Sequence, residues 1–266
     1  TGYHRLKSTC KTTYQSSDSI VEKSVFAYDT ERPYNIISKS SLCSGGAEQV
    51  ERTYYSNNTI PDKESLTTSQ RSAIQLLTSR NYLTTPVQQT MEKKDKRLYS
   101  VLRGYSSSLS SGMVVEDQYY CKGTDKYEKR ISYNKYDIYG NPVYINKDGA
   151  EKVVYLWGYK GQYLLAEIKG ATYEEVKKAL MVDPASMSSC ILPSMPLYLD
   201  MIDNLYKALP SALITSYTYH PLIGISGIIS PNKAKTTFEY NSDSQLIRIK
   251  DTEGKTMEEY QYHFRP

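Results

Sequence analysis

The sequence predicts a mainly β protein. Consecutive antiparallel hairpins would form an extended, curved or spiralling sheet, interrupted by a small helical insertion. Three observations carry this expectation. Tyrosine supplies 27 of 266 residues and phenylalanine only 3; tyrosine suits strands with one packed and one wet face, because its ring buries while its hydroxyl stays hydrated. Runs of β-branched and aromatic residues alternate with Gly, Pro, Asn and Asp clusters along most of the chain. One stretch, Tyr136 to Gly149, fits a strand end, a tight turn, a second strand and another turn into fourteen residues.

Residues 1–126 read as a β-meander with one short helix, built of degenerate repeats. Ser19 to Tyr28, Tyr34 to Leu42 and Gln49 to Tyr55 are strand-like, with turn residues at Asp29 to Pro33 and at Ser44-Gly45-Gly46. Ala73, Leu76 and Leu77 fall near helical spacing after Ser69, which is expected to be the N-cap. Val87 to Ser106 reads as two strands around the charged turn at Lys93 to Lys96, followed by a mobile serine-rich loop from Ser106 to Gly112. Met113 to Lys122 and Lys126 to Tyr136 are again strands.

Residues 127–266 read as a repeat region with a helical insertion at about 172–210. Thr172, followed three residues later by Glu175, opens an amphipathic helix that Asp183-Pro184 stops. The proline-bearing stretch 184–197 is expected to be a loop. Leu197 to Leu209 forms a second helix, ended by Pro210. Strands follow at Ala212 to Tyr219, Leu222 to Ile229, Lys235 to Tyr240, Leu246 to Lys250 and Thr256 to Phe264.

Composition excludes some classes of function. The net charge of +4, from 33 basic and 29 acidic residues, is spread along the chain; nucleic-acid binding calls for a concentrated basic patch. No run of about 20 apolar residues marks a membrane span, so no membrane insertion is expected. The chain begins at Thr1 without Met and reads as a fragment or mature piece, so the lack of a signal peptide says nothing of location. Cys10, Cys43, Cys121 and Cys190 have no metal-site spacing, and the histidines are His4, His220 and His263; free thiols are expected ahead of disulfides, and no metal or cofactor.

A tyrosine that enters a turn recurs at Tyr136, Tyr159, Tyr219, Tyr240 and Tyr262, with a possible early copy at Tyr28-Asp29. Apart from the insertion the spacing is close to regular, which marks a repeat. In the best copy, Asp137, Gly140 and Asn141 turn the chain, and Asp148-Gly149 turns it again. The copies at Ser230 to Lys233 and Asn241 to Ser244 lack the turn glycine and are expected to be looser.

These residues carry a resemblance. Tyr136-Asp137-x-Tyr139-Gly140-Asn141 with Asp148-Gly149 resembles the YD repeat of the RHS/YD-repeat family. Tyr155-Leu156-Trp157-Gly158-Tyr159, Tyr217-Thr218-Tyr219 and Tyr260-Gln261-Tyr262-His263-Phe264 are similar to secreted YD-repeat proteins of Bacteroides-like bacteria. The resemblance covers residues 127–266. It implies a secreted or surface-displayed protein whose hairpins spiral into a shell, and in polymorphic toxins of the family the shell encloses a toxin. Nothing here resembles the family's aspartyl autoprotease or a toxin module, so this stretch would be scaffold.

No residue pattern points to catalysis. His220 has no partner at informative spacing, and the serines at 106–111 lack a nucleophile elbow. The aromatic cluster Tyr155, Trp157, Tyr159 and Tyr163 is the candidate binding site, since residues 155, 157 and 159 of one strand share a face and exposed rings stack on sugars or partners. The alternative is that this row faces the sheet core or the helical insertion. The expected function is therefore a non-enzymatic structural or interaction module. The alternatives are a carbohydrate- or cell-surface-binding module and, last, a hydrolase. Its partners would be other repeats, a cell-surface molecule or a glycan.

Overall fold

The computed structural model describes residues 4–15, 18–42, 46–109, 112–189 and 195–263. Thr1–Ser132 and Tyr133–Pro266 form two compact units. The fold is mainly β, with sixteen strands among the described residues, ordered as they occur in the chain.

The first unit runs β1 (Ser8–Gln15), β2 (Asp18–Tyr28), β3 (Ile36–Leu42), β4 (Glu48–Tyr55), α1 (Thr68–Ser79), β5 (Pro86–Lys93), β6 (Lys96–Leu109) and β7 (Gly112–Lys122), and the boundary lies within β8 (Glu128–Tyr136). Helix α1 buries Ala73, Ile74 and Leu77 against Val87, Leu102 and Tyr105 of the sheet. Ile74, Leu77, Val87 and Leu102 each contribute roughly 1.5–3 kcal/mol by leaving water. The N-cap is Thr67 rather than the expected Ser69. Thr67 Oγ1 accepts the Gln70 N–H, and the Gln70 side chain accepts the Thr67 N–H. That reciprocal pairing satisfies two free helix donors, which Ser69 two residues later would not do. The charged run Lys93 to Lys96 is a two-residue hairpin with Lys94 at φ 50° and Asp95 at φ 57°. The serine-rich segment is not a loop in its described part: β6 continues to Leu109, and Leu109 pairs with Gly112. Small polar side chains leave the backbone free to extend the hairpin ladder. Residues 110 and 111 lie outside the described residues.

The second unit continues through β9 (Pro142–Lys147), β10 (Glu151–Gly158), β11 (Tyr163–Lys169), α2 (Tyr173–Leu180), α3 (Met195–Ala208), β12 (Leu213–His220), β13 (Gly224–Ile229), β14 (Lys235–Tyr240), β15 (Leu246–Lys250) and β16 (Thr256–Glu259). The insertion begins as expected, with a capping box between Thr172 and Glu175. The stretch expected as a loop holds a 3-10 turn at Pro184–Ser189, and α3 starts at Met195. Val176, Met187, Ile202 and Leu205 pack on Val154, Leu156, Ala166, Ile168 and Ile214. Two strands are shorter than expected: β13 begins at Gly224, leaving Leu222 95% exposed in a turn, and β16 ends at Glu259.

Cys10 is an exposed free thiol and Cys121 a buried one; Cys43 and Cys190 lie outside the described residues. Among the described residues no helix is long and apolar enough to cross a membrane.

Candidate functional site

The stretch at Asp137 sets a local pattern. Asp137 N–H donates to Asn141 O (2.9 Å) and Gly140 N–H to Asp137 O (3.2 Å), with Gly140 at φ 86°. This is a type I turn closed by a left-handed residue, a standard three-residue hairpin loop. The buried Asp137 carboxylate organises it: Oδ1 accepts from the N–H groups of Tyr139 and Asn141, and Oδ2 accepts from Asn141 Nδ2. Asn141 Nδ2 also donates to Gly161 O at 2.8 Å, tying this loop to the next. Asp148 and Gly149, at φ 49° and 72°, are the centre of a separate tight turn closed by Ala150 N–H on Lys147 O.

The divergent copies are not looser. Asn241 to Gln245 and Asp251 to Lys255 make the same two backbone bonds, and each Asx side chain accepts two loop N–H groups. Ser230 to Ala234 makes the backbone bonds as well. Gly254 takes the left-handed position in one of them, but Lys233 (φ 65°) and Ser244 (φ 61°) take it in the others. A non-glycine residue there costs roughly 1–2 kcal/mol, so hairpin pairing must hold those two loops in shape.

A second pattern runs along the turn end of the strands. In the pair β13–β14 the last ladder pair is Gly227 with Thr237. Three residues past Thr237, Tyr240 donates its hydroxyl to the carbonyl of Ile225, two residues before Gly227, at 2.9 Å. The same offset recurs in β1–β2 (Tyr28 to Leu6 O, 3.0 Å), β3–β4 (Tyr55 to Ile36 O, 3.0 Å) and β5–β6 (Tyr105 to Pro86 O, 2.7 Å). It recurs again in β11–β12 (Tyr219 to Leu164 O, 2.8 Å) and β15–β16 (Tyr262 to Leu246 O, 2.8 Å). In β9–β10 an indole replaces the phenol: Trp157 Nε1 donates to Pro142 O at 2.8 Å. Lys135 stands at the corresponding place in β7–β8, with Tyr136 one residue further on.

These clamps link into a chain. Five of the seven clamp residues are also paired, on their other side, with the residue whose carbonyl receives the next clamp: Tyr28 with Ile36, Tyr55 with Pro86, Trp157 with Leu164, Tyr219 with Ile225 and Tyr240 with Leu246. A register shift accompanies every such pairing, so one residue of the receiving strand is unopposed. A bulge of this kind bends the strand and interrupts its ladder. The aromatic donor then supplies the hydrogen bond that the ladder no longer reaches. At β11 the unopposed residue is Leu165, which together with Ala166 is buried in the core under the helical insertion.

The predicted binding row divides accordingly. Trp157 is a clamp. Tyr155 is half-buried beside Glu167, and burial, reinforced by that carboxylate, pushes its hydroxyl up to about 12. Tyr159 is not on the strand face with them: it follows the end of β10 at φ 51°, the first of three left-handed residues at 159–161. It meets Tyr163 edge-on, with ring centres 4.8 Å apart, and Tyr163 lies 4.6 Å from Tyr219. Tyr163 also accepts the Leu222 N–H on its hydroxyl oxygen. Burial pushes Tyr219 up to about 12, and nearby tyrosines add to the shift. Sequence reasoning placed the repeat anchor at Tyr159 instead of Trp157 and missed Tyr55 and Tyr105. The usable signal was an aromatic followed at once by a small residue, as in Tyr55-Ser56, Tyr105-Ser106 and Trp157-Gly158.

The first unit also holds a polar groove of about 600 Å³ lined by Asp62, Glu92, Asp95, Arg97, Asp125 and Tyr127. Asp62 Oδ2 accepts from Arg97 (3.0 Å), the Tyr127 hydroxyl (2.9 Å) and the Gln88 amide. Below it, burial raises the Cys121 thiol, which donates to Asp125 O at 2.8 Å. These bonds fasten the start of the α1 segment to β5, β6 and the β7–β8 turn.

No family model matches the chain, and no curated protein matches it. Solved structures do. A TcdB2-TccC3 structure aligns over 93% of this chain and 12% of its own at 12% identity and TM-score 0.41. TcdB2-TccC3-Cdc42 aligns over 86% and 12%, at 11% identity and TM-score 0.36. The Tc holotoxin pore of Photorhabdus luminescens gives 86% and 12%, at 11% identity and TM-score 0.35. The chain thus spans only about an eighth of the length of these proteins, and likeness at this level carries no functional conclusion.

Proposed function

We propose that this chain is a structural and interaction module of a secreted or surface-displayed YD-repeat protein, acting without a cofactor and without catalysis. The observation that supports it is the recurring clamp. The aromatic side chains that a binding or catalytic role would need at the turn end are committed to strand carbonyls, at one offset, in seven strand pairs among the described residues. One such hydrogen bond across each of these strand pairs stabilises a sheet whose single hairpins are marginal alone. The test pairs stability with binding. Tyr219→Phe and Tyr240→Phe should lower the urea midpoint, and a glycan array should give no specific signal. Specific glycan binding that is lost in Tyr159→Ala and Tyr163→Ala would replace this reading with a sugar-binding one.

A further inference from the structure

At the β11–β12 junction the clamp lies within a group of tyrosine rings. The ladder ends where Ala166 pairs with Ser216, and the same register carried three residues further sets Tyr163 opposite Tyr219. Their ring centres are 4.6 Å apart, with an interplanar angle of 35°. Tyr159 meets Tyr163 at 4.8 Å but at 78°, so one ring turns its edge to the face of the other. The stacked pairs elsewhere are wider: 6.0 Å for Tyr99–Tyr120 and 6.1 Å for Tyr133–Tyr136. Tyr163 and Tyr219 are both only partly buried. Their place in the chain matters as well. Helices α2 and α3 both lie between β11 and β12, whereas β12 to β16 follow one another through short connections.

We propose that Tyr163 and Tyr219 are a site of oxidative cross-linking, converted to dityrosine by hydrogen peroxide and a haem peroxidase. The Tyr163 hydroxyl oxygen accepts the N–H of the exposed Leu222, and among the described residues its own proton goes to no carbonyl, so water can take it. Tyr163 loses one electron to the oxidant and its phenolic proton to water, and Tyr219 follows. The two phenoxyl radicals join through ring carbons ortho to their oxygens. Each of those carbons then releases its hydrogen as a proton, and both oxygens are reprotonated. The protein has lost two hydrogen atoms, and one hydrogen peroxide has become two waters. Tyr219 regains the hydroxyl that it donates to Leu164 O. The new bond closes a loop containing the whole helical insertion. A covalent tie across a long loop stabilises by restricting the unfolded chain, as a disulfide does.

The inference goes beyond the scaffold reading and does not depend on it, since a sugar-binding sheet with these rings would cross-link equally. The full chain, dilute enough to suppress intermolecular coupling, is treated with a haem peroxidase and limiting hydrogen peroxide. The monomer fraction is then read by dityrosine fluorescence and by mass mapping of its peptides. Dityrosine fluorescence is expected in the monomer, with one cross-linked peptide pair joining Tyr163 to Tyr219 and lacking two hydrogen atoms. Tyr163→Phe, which leaves the Tyr219 clamp in place, should remove most of that signal, and Tyr219→Phe should do the same. Tyr120→Phe should leave it unchanged. The cross-linked monomer should unfold at higher urea than the untreated chain, with no such gain in treated Tyr163→Phe. Coupling mapped to Tyr159–Tyr163, Tyr99–Tyr120 or Tyr133–Tyr136 instead would overturn the inference. So would a monomer signal that survives Tyr163→Phe, dityrosine found only in oligomers, or a cross-linked monomer with an unshifted urea midpoint.

Discussion

Tyr55 and Tyr240 do the same work in the two units under different sequence conditions. Each lies three residues past a ladder end and donates to a carbonyl two residues before the partner, over sequence separations of 19 and 15. In the second unit the clamps at Tyr219, Tyr240 and Tyr262 follow at short, even intervals. In the first unit α1 stands between Tyr55 and the next receiving strand, and β6 runs for 14 residues before its hairpin closes. The geometry is shared, but the spacing is not. The unit of the repeat is therefore a strand register rather than a sequence interval, and insertions are tolerated wherever they leave both halves of a junction in place.

The largest test of that comparison removes a core rather than a clamp. Leu102→Ala in the first unit and Leu205→Ala in the second should each cost about 2–5 kcal/mol in urea unfolding, because both side chains are fully buried between a helix and the sheet. Comparable losses would say that each insertion acts as a lid holding its own strands. A loss under about 1 kcal/mol at either site would show that the clamps suffice there without the helix.

Clamp removal ranks next and should follow burial. Tyr105, 5% exposed, lies at one extreme and Tyr262, 45% exposed, at the other. Tyr105→Phe should cost roughly 1–3 kcal/mol, because Pro86 O loses its donor in a dry setting, whereas Tyr262→Phe should cost about 0.5 kcal/mol, because water replaces the phenol. Equal effects at the two positions would contradict the graded picture.

Alkaline pH probes the same groups without mutation. Tyr155 and Tyr219 are raised from 10.0 to about 12 in the folded protein. Between those values the folded state holds protons that the unfolded state has released, so stability is intact below pH 10 and falls as pH rises toward 12. Urea midpoints measured across this range should decline, and Tyr219→Phe should flatten the decline. A flat wild-type profile would mean that the hydroxyls are not held as described.

The smallest effect concerns the loops. Ser244→Gly and Lys233→Gly should stabilise by up to about 1 kcal/mol by relieving a left-handed residue, while Gly140→Ala and Gly254→Ala should destabilise by a similar amount. Thermal midpoints shifting in opposite directions for the two pairs would confirm that all four loops share one backbone.

Much of this was legible in the chain. Asp137, Gly140 and Asn141 announce their turn because an Asx acceptor and a left-handed glycine leave a readable pattern. Thr172 and Glu175 announce their helix in the same way. Ser244 and Lys233 hid how tightly their loops close, since the left-handed residue is imposed by hairpin closure rather than encoded by glycine. Trp157 was hidden behind Tyr159 because chemical identity suggested tyrosine, whereas the role asks only for a rigid aromatic with a polar hydrogen at its far end. Tyr55 and Tyr105 were hidden because the long strand and the inserted helix broke the interval, and register is a property of paired strands that no single segment displays.

The central claim is that an aromatic donor replaces the ladder bond lost at the bulge of each clamp junction. Native-state hydrogen exchange on Tyr240→Phe tests it most directly. The account predicts faster exchange confined to the Gly224–Gly227 segment and the Asn241–Gln245 loop, with the amides of β5 and β6 unchanged. Exchange in Tyr240→Phe that matches the wild type at Gly224–Gly227 would contradict it.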